Sequence, residues 1–68
     1  MRVHERLASK RIERLRAVGF AISISKPDRT YHVSISLPKG GGDFFYILYS
    51  WREIDELLRL VEHLYFSL

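Results

Sequence analysis

The sequence predicts an α+β fold of order α-β-β-β-α, a three-stranded antiparallel meander with both helices packed on one face. Three observations predict it. A helical stripe at the start ends on a glycine, two runs of strict alternation fill the middle, and a capped apolar stripe closes the chain. The connections between the strands are short, which favours hairpins over crossovers, and each helix has one oily side to bury against the sheet.

From about Val3 to Val18, Leu7, Ala8, Ile12, Leu15 and Val18 recur on one side at about 100° per residue. Gly19 stands where a helix needs a left-handed residue to stop, and Phe20 can fold back onto Leu15. Phe20 to Ser25 then alternates Phe20, Ile22 and Ile24 with Ala21, Ser23 and Ser25. Thr30 to Leu37 alternates Tyr31, Val33, Ile35 and Leu37 with Thr30, His32, Ser34 and Ser36. Alternation at this period means two strands, each with one buried face. Lys26-Pro27-Asp28-Arg29 joins them, with proline at the second position of a type I turn.

Pro38 to Asp43, with three glycines in succession, reads as a flexible loop. Phe44 to Tyr49 is a third strand, apolar on both faces. Ser50-Trp51-Arg52-Glu53 is a capping box, with Tyr49 and Ile54 placed for a hydrophobic staple. Trp51, Ile54, Leu57, Leu58, Val61, Leu64, Tyr65 and Leu68 then form one broad stripe.

Size and composition narrow the function. The 68 residues make one domain, 1–68, without linker or repeat. A chain this short buries roughly 60% of its unfolded surface, so association with a partner or a second copy would add needed stability. There is no cysteine, which removes disulfides and zinc fingers. No apolar run approaches the roughly 18 residues of a membrane span, and the charged N-terminus does not read as a signal segment. A cytoplasmic chain with no membrane contact and no cofactor is the expectation.

Charge is unevenly spread. Residues 1–18 carry six Lys or Arg against two Glu, whereas residues 50–68 carry two against four acidic groups. Arg2, Arg6, Lys10 and Arg14 fall at successive four-residue steps, a nearly straight row on a helix. Such a row suits phosphate contact or an acidic protein surface. Arg11 projects beside the apolar stripe and is expected to snorkel or to pair with Glu62 or Asp55.

The sheet face away from the helices would carry Ser23, Ser25, His32, Ser34 and Ser36. Either the Phe44/Tyr46/Leu48 set or the Phe45/Ile47/Tyr49 set lies beside them. Serines with aromatic neighbours suit a flat interface, and Tyr46, with Phe66 lying off the last helix's stripe, is a candidate contact. His4, His32 and His63 sit on separate elements, so no metal site is expected. Gly40-Gly41-Gly42 has no following Lys-Ser/Thr and opens a strand, so it is not a phosphate-binding loop.

The order and lengths of the elements resemble the double-stranded-RNA-binding domain. Lys26-Pro27-Asp28-Arg29-Thr30-Tyr31-His32-Val33 is similar to that family's first hairpin loop and second strand, and Ser50-Trp51-Arg52-Glu53 to the start of its second helix. The family's phosphate-clamping cluster there is eroded: Trp51 replaces one lysine, only Arg52 remains, and Asp55 is acidic. The resemblance implies a degenerate member used for protein contacts.

A second resemblance is to HicA-type toxin ribonucleases. Leu15-Arg16-Ala17-Val18-Gly19-Phe20 is similar to their helix end, and His32 falls near their catalytic histidine. Thr30-Tyr31-His32 stands where they have Gly-Ser-His.

The leading expectation is a non-enzymatic inhibitor or adaptor of phage type, docking on a protein or protein–nucleic acid machine. It would use the cationic helix together with the aromatic and serine sheet face, and a second copy is a further partner. The alternative is RNA or DNA binding by Arg2, Arg6, Lys10 and Arg14 with Lys26, Arg29 and Lys39. A ribonuclease using His32 is the third reading.

Overall fold

The computed structural model describes residues 3–67. Its elements run α1 (Val3–Ala17), β1 (Ala21–Ser25), β2 (Tyr31–Ser36), a 3-10 turn (Pro38–Gly40), β3 (Asp43–Leu48) and α2 (Trp51–Phe66). The strands form one antiparallel sheet in the order β1-β2-β3. The expected α-β-β-β-α meander is therefore present.

Helix α1 stops as its sequence dictates. Gly19 adopts φ 107°, the Phe20 amide donates to the Leu15 carbonyl, and the Gly19 amide donates to that of Arg16, both at 3.1 Å. This pair of bonds is a Schellman ending, and it turns the buried Phe20 directly into the sheet. At the other end of the chain, Ser50 accepts from the Glu53 amide and caps α2. The Glu53 carboxylate returns to the Tyr49 amide, one residue before the cap, at 2.6 Å. Tyr49, placed by the sequence to staple onto Ile54, is 71% exposed.

The core is built from Ala8 and Leu15 of α1, Phe20, Ile22 of β1, Val33 and Ile35 of β2, and Ile54 and Leu58 of α2. Register fixes which side of the sheet is covered. Ile22 pairs with Ile35, Ile24 with Val33, Val33 with Tyr46 and Ile35 with Phe44. Residues directly opposite share a face, so both helices lie on the face of Ile22, Val33 and Ile35. Among the described residues, no element lies over the opposite face.

Two details differ from expectation. Leu7 and Val18 are exposed, and the covered side of α1 instead runs through Ala8, Arg11, Ile12 and Leu15. The glycine loop is a compact turn. The Gly41 amide donates to Pro38, the Leu37 amide donates to Gly42 at 2.8 Å, and Lys39 adopts φ 58°.

Candidate functional site

Between the helices lies a charged seam. Arg11 Nε donates to Asp55 Oδ1 at 2.8 Å, and its Nη1 donates to Glu62 Oε1 at 2.5 Å. Asp55 and Glu62 sit seven residues apart on α2, one above the other, and both are buried. Hydrogen bonding to Asp55 first, and then to Glu62, holds the Arg11 guanidinium above its ordinary range. His4 Nδ1 lies 3.6 Å from Asp55 Oδ2 and Arg14 Nε lies 3.1 Å from Glu62 Oε2. That Oε2 atom has no aligned hydrogen-bond donor, so the Arg14 contact is an ion pair only. The expected pairing of Arg11 is present, and it ties α1 to α2.

The same seam changes the cationic row. Arg14 is drawn sideways onto Glu62, because α2 packs against that flank of α1 and presents its acidic side. Arg2 lies outside the described residues. Arg6 and Lys10 remain exposed, about half a turn around the helix from Ala8 and Leu15. They therefore point away from the sheet. No ion pair links either of them to another described residue.

The loop cations do not gather in one place. Lys26 and Arg29 belong to the β1–β2 loop, at the end of the sheet where α2 begins. The Lys26 ammonium sits 5.0 Å over the Tyr31 ring, and Tyr31 in turn meets Trp51. Lys39 is on the β2–β3 turn at the opposite end, beside Gly19 and Pro38.

The uncovered sheet face carries Ser23, Ser34, His32, Phe45 and Ile47 near its middle. Phe45 is 60% exposed and Ile47 51%. Of the two β3 sets that the sequence leaves open, the register brings Phe45 and Ile47 to this face, and Tyr46 lies on the other. It stands opposite Val33, which is fully buried, so it belongs to the helix-covered face. Since β3 is apolar on both sides, only its register against β2 separates the two sets. Phe66 is exposed, as expected from its position off the stripe, and packs edge-on against Tyr65.

His32 is half-buried on the uncovered face. Its ring meets Phe45 edge-on with centroids 5.5 Å apart, and Nε2 lies 3.2 Å from Thr30 Oγ1. Thr30 donates both its amide and its hydroxyl to Asp28 Oδ1, each at 2.7 Å. These bonds hold the Asp28 carboxyl below its usual range and close the β1–β2 loop. Ser25 and Ile47 flank His32 in the neighbouring strands. Among the described residues, no group of His, Asp and Glu side chains is arranged to hold a metal ion, and no helix is long and apolar enough to cross a membrane.

Two features escape a reading of the sequence. Arg16 donates through Nη2 to the Ile22 carbonyl at 2.5 Å, reaching from α1 to the outer edge of β1. A shallow apolar groove of about 390 Å³ lies between the far edge of the sheet and α2, walled by Phe44, Tyr46, Leu64 and Tyr65. Leu64 there belongs to the broad apolar stripe of the last helix and is 60% exposed. The signal available was the length of that stripe, which is wider than two facing elements can cover.

No protein-family model, curated protein or solved structure shows significant similarity to the chain. The element order agrees with the α-β-β-β-α topology that the sequence resemblances implied, and the agreement extends no further than topology.

Proposed function

We propose that the chain is a small non-enzymatic protein-binding module, an inhibitor or adaptor that docks on a larger macromolecular assembly through its uncovered sheet face. The observation that carries this reading is the one-sided sheet. Both helices cover one face, while the other presents Phe45 and Ile47 more than half exposed among serines. Aromatic and aliphatic anchors in a field of small polar groups match the make-up of interface cores and their rims. At the start of α2, where a double-stranded-RNA-binding domain would need a cationic cluster, Arg52 stands alone, with Glu56 3.8 Å from it.

Nucleic-acid binding is the second reading, supported by the unpaired Arg6 and Lys10 on the outer side of α1. The two surfaces lie on opposite sides of the molecule, so one flat partner does not cover both. This geometry also makes them separable. Ser34→Arg places a bulky charge at the centre of the uncovered face, on β2. Arg6→Ala/Lys10→Ala strips the helix and leaves the sheet untouched.

The test is affinity capture from the native host, with nuclease treatment, using the wild type and both variants. Recovery of a protein by the wild type and the helix variant, but not by Ser34→Arg, is expected. Recovery of nucleic acid that is lost with the helix variant, and whose binding weakens steeply with salt, would overturn the protein-binding reading.

A further inference from the structure

The two outer edges of the sheet are treated differently. In an antiparallel ladder, hydrogen-bonded and non-hydrogen-bonded pairs alternate. The Leu37 amide bonds the Gly42 carbonyl, so alternation directs the main-chain groups of Phe44, Tyr46 and Leu48 toward β2. Those of Asp43, Phe45 and Ile47 therefore point outward. The same alternation directs Ile22 and Ile24 outward on β1, consistent with the Arg16 guanidinium seated on the Ile22 carbonyl. On the β1 edge one outward group, the Ile22 carbonyl, is thus taken by the chain's own helix. The edge of β3 presents three outward residues and contains no proline, lysine or arginine, the devices that normally blunt a free edge.

We infer that the β3 edge pairs with the β3 edge of a second copy about a two-fold axis at Phe45, joining two sheets into one of six strands. The self-pairing follows from the positions. In this register Phe45 meets its own counterpart, and Asp43 meets Ile47 of the other copy. All three outward residues then find partners. Shifting the axis to Tyr46 would oppose Asp43 to Tyr49, whose amide already donates to Glu53, so the Phe45 register is the better matched.

Chemistry favours the same arrangement. Asp43, the one charged residue of β3, faces an isoleucine and never its own copy. Phe44 pairs with Tyr46 of the other copy on the helix-covered face, at the mouth of the apolar groove. The exposed Leu60 and Leu64 lie on the side of α2 away from α1, above that junction. The cations of Arg6 and Lys10 are on the other helix, which stands over β1, so pairing keeps the two positive surfaces apart. This inference concerns an edge, not the uncovered face, and stands independently of the proposed docking function.

Three measurements on the full chain test it. Sedimentation equilibrium should show the mass rising from 8.1 kDa toward twice that value with concentration. Amide exchange at Asp43, Phe45 and Ile47 should slow over the same range, because only those β3 amides point outward. Phe45→Cys should cross-link under a glutathione redox buffer, since a hydrogen-bonded pair separates Cα atoms by about 5.5 Å, inside the roughly 4.4–6.8 Å that a disulfide spans. Ile47→Cys should not, because its counterpart lies about 13 Å away, four residues along the strand.

A chain that stays at 8.1 kDa into the millimolar range overturns the inference. So does a dimer that leaves those three amides exchanging freely, or one in which Ile47→Cys cross-links as readily as Phe45→Cys. Loss of partner capture by Ser34→Arg would leave all three measurements unchanged, so the two readings can fail separately.

Discussion

Replacing Arg11 by alanine should cost the protein about 3 kcal/mol at neutral pH. Arg11 bridges Asp55 at 2.8 Å and Glu62 at 2.5 Å, and these carboxylates are only 7% and 8% exposed. Removing one partner of a buried ion pair costs roughly 3–5 kcal/mol, because the remaining charge stays desolvated and unmatched. Here two carboxylates are left, one above the other on the same helix. Arg14 remains near Glu62, and the Arg11 side chain is itself 19% exposed, so the lower end of that range applies. A domain of this length is stable by roughly 3–10 kcal/mol in total. The variant therefore sits close to its folding threshold, and its melting temperature should fall by roughly 12–24 °C.

Trp51, the one tryptophan, packs on Tyr31 and provides the fluorescence signal for urea titration. One control separates a stranded-charge penalty from lost packing. Replacing the triad as a whole, with Arg11→Met, Asp55→Leu and Glu62→Leu, should return stability to within about 1 kcal/mol of the wild type. A loss under about 0.5 kcal/mol at pH 7, or a triple variant no more stable than Arg11→Ala, would refute the argument.

Gly19→Ala should destabilise by about 1–3 kcal/mol, read as a lower urea midpoint at unchanged slope. Its φ of 107° is unfavourable for any side chain, and an added Cβ would sit 3.2 Å from that of Pro38. A neutral substitution would mean that the helix does not end in this geometry. His32→Ala should change stability by less than about 1 kcal/mol, since the ring is half-buried and bonded only to Thr30. Incubation of wild type and variant with RNA should leave the RNA intact in both. Cleavage by the wild type that vanishes in His32→Ala would establish the ribonuclease reading instead.

What was legible in the sequence was whatever is decided locally. Gly19 and Ser50 end and start helices through bonds to residues within five positions, so their roles follow from neighbours alone. The two serine-rich strands announce their faces because small polar and large apolar residues alternate. Arg11 was legible for a different reason: a cation inside an apolar stripe demands a carboxylate, and Asp55 and Glu62 occur at the spacing of one helix face. The strand Asp43–Leu48 hides its orientation, because Phe44, Phe45, Tyr46 and Ile47 are all apolar and alternation carries no information. On that account the Tyr46 set and the Phe45 set stand as equal alternatives in the sequence, and only the register against β2 selects between them. The capture of Arg14 by Glu62 and of the Ile22 carbonyl by Arg16 depend on how helices and sheet are set against one another, which no local pattern encodes.

The cationic row and the uncovered face are two candidate binding surfaces, and the layer arrangement sets them on opposite sides of the molecule. Once α2 takes Arg14, what remains of the described row is a short pair, Arg6 and Lys10, on the outermost side of a two-layer molecule. A two-point cationic contact is worth little at physiological salt, where charges beyond about 8 Å are screened. The sheet side offers a larger and less salt-sensitive area, and joining two copies at β3 would double it without covering it. In that assembly the Phe45 pair lies at the centre of a six-stranded face, while the α1 cations stand at its two far ends on the other side. Ionic strength then discriminates between the surfaces. Binding through the sheet should persist as salt is raised, and binding through Arg6 and Lys10 should not.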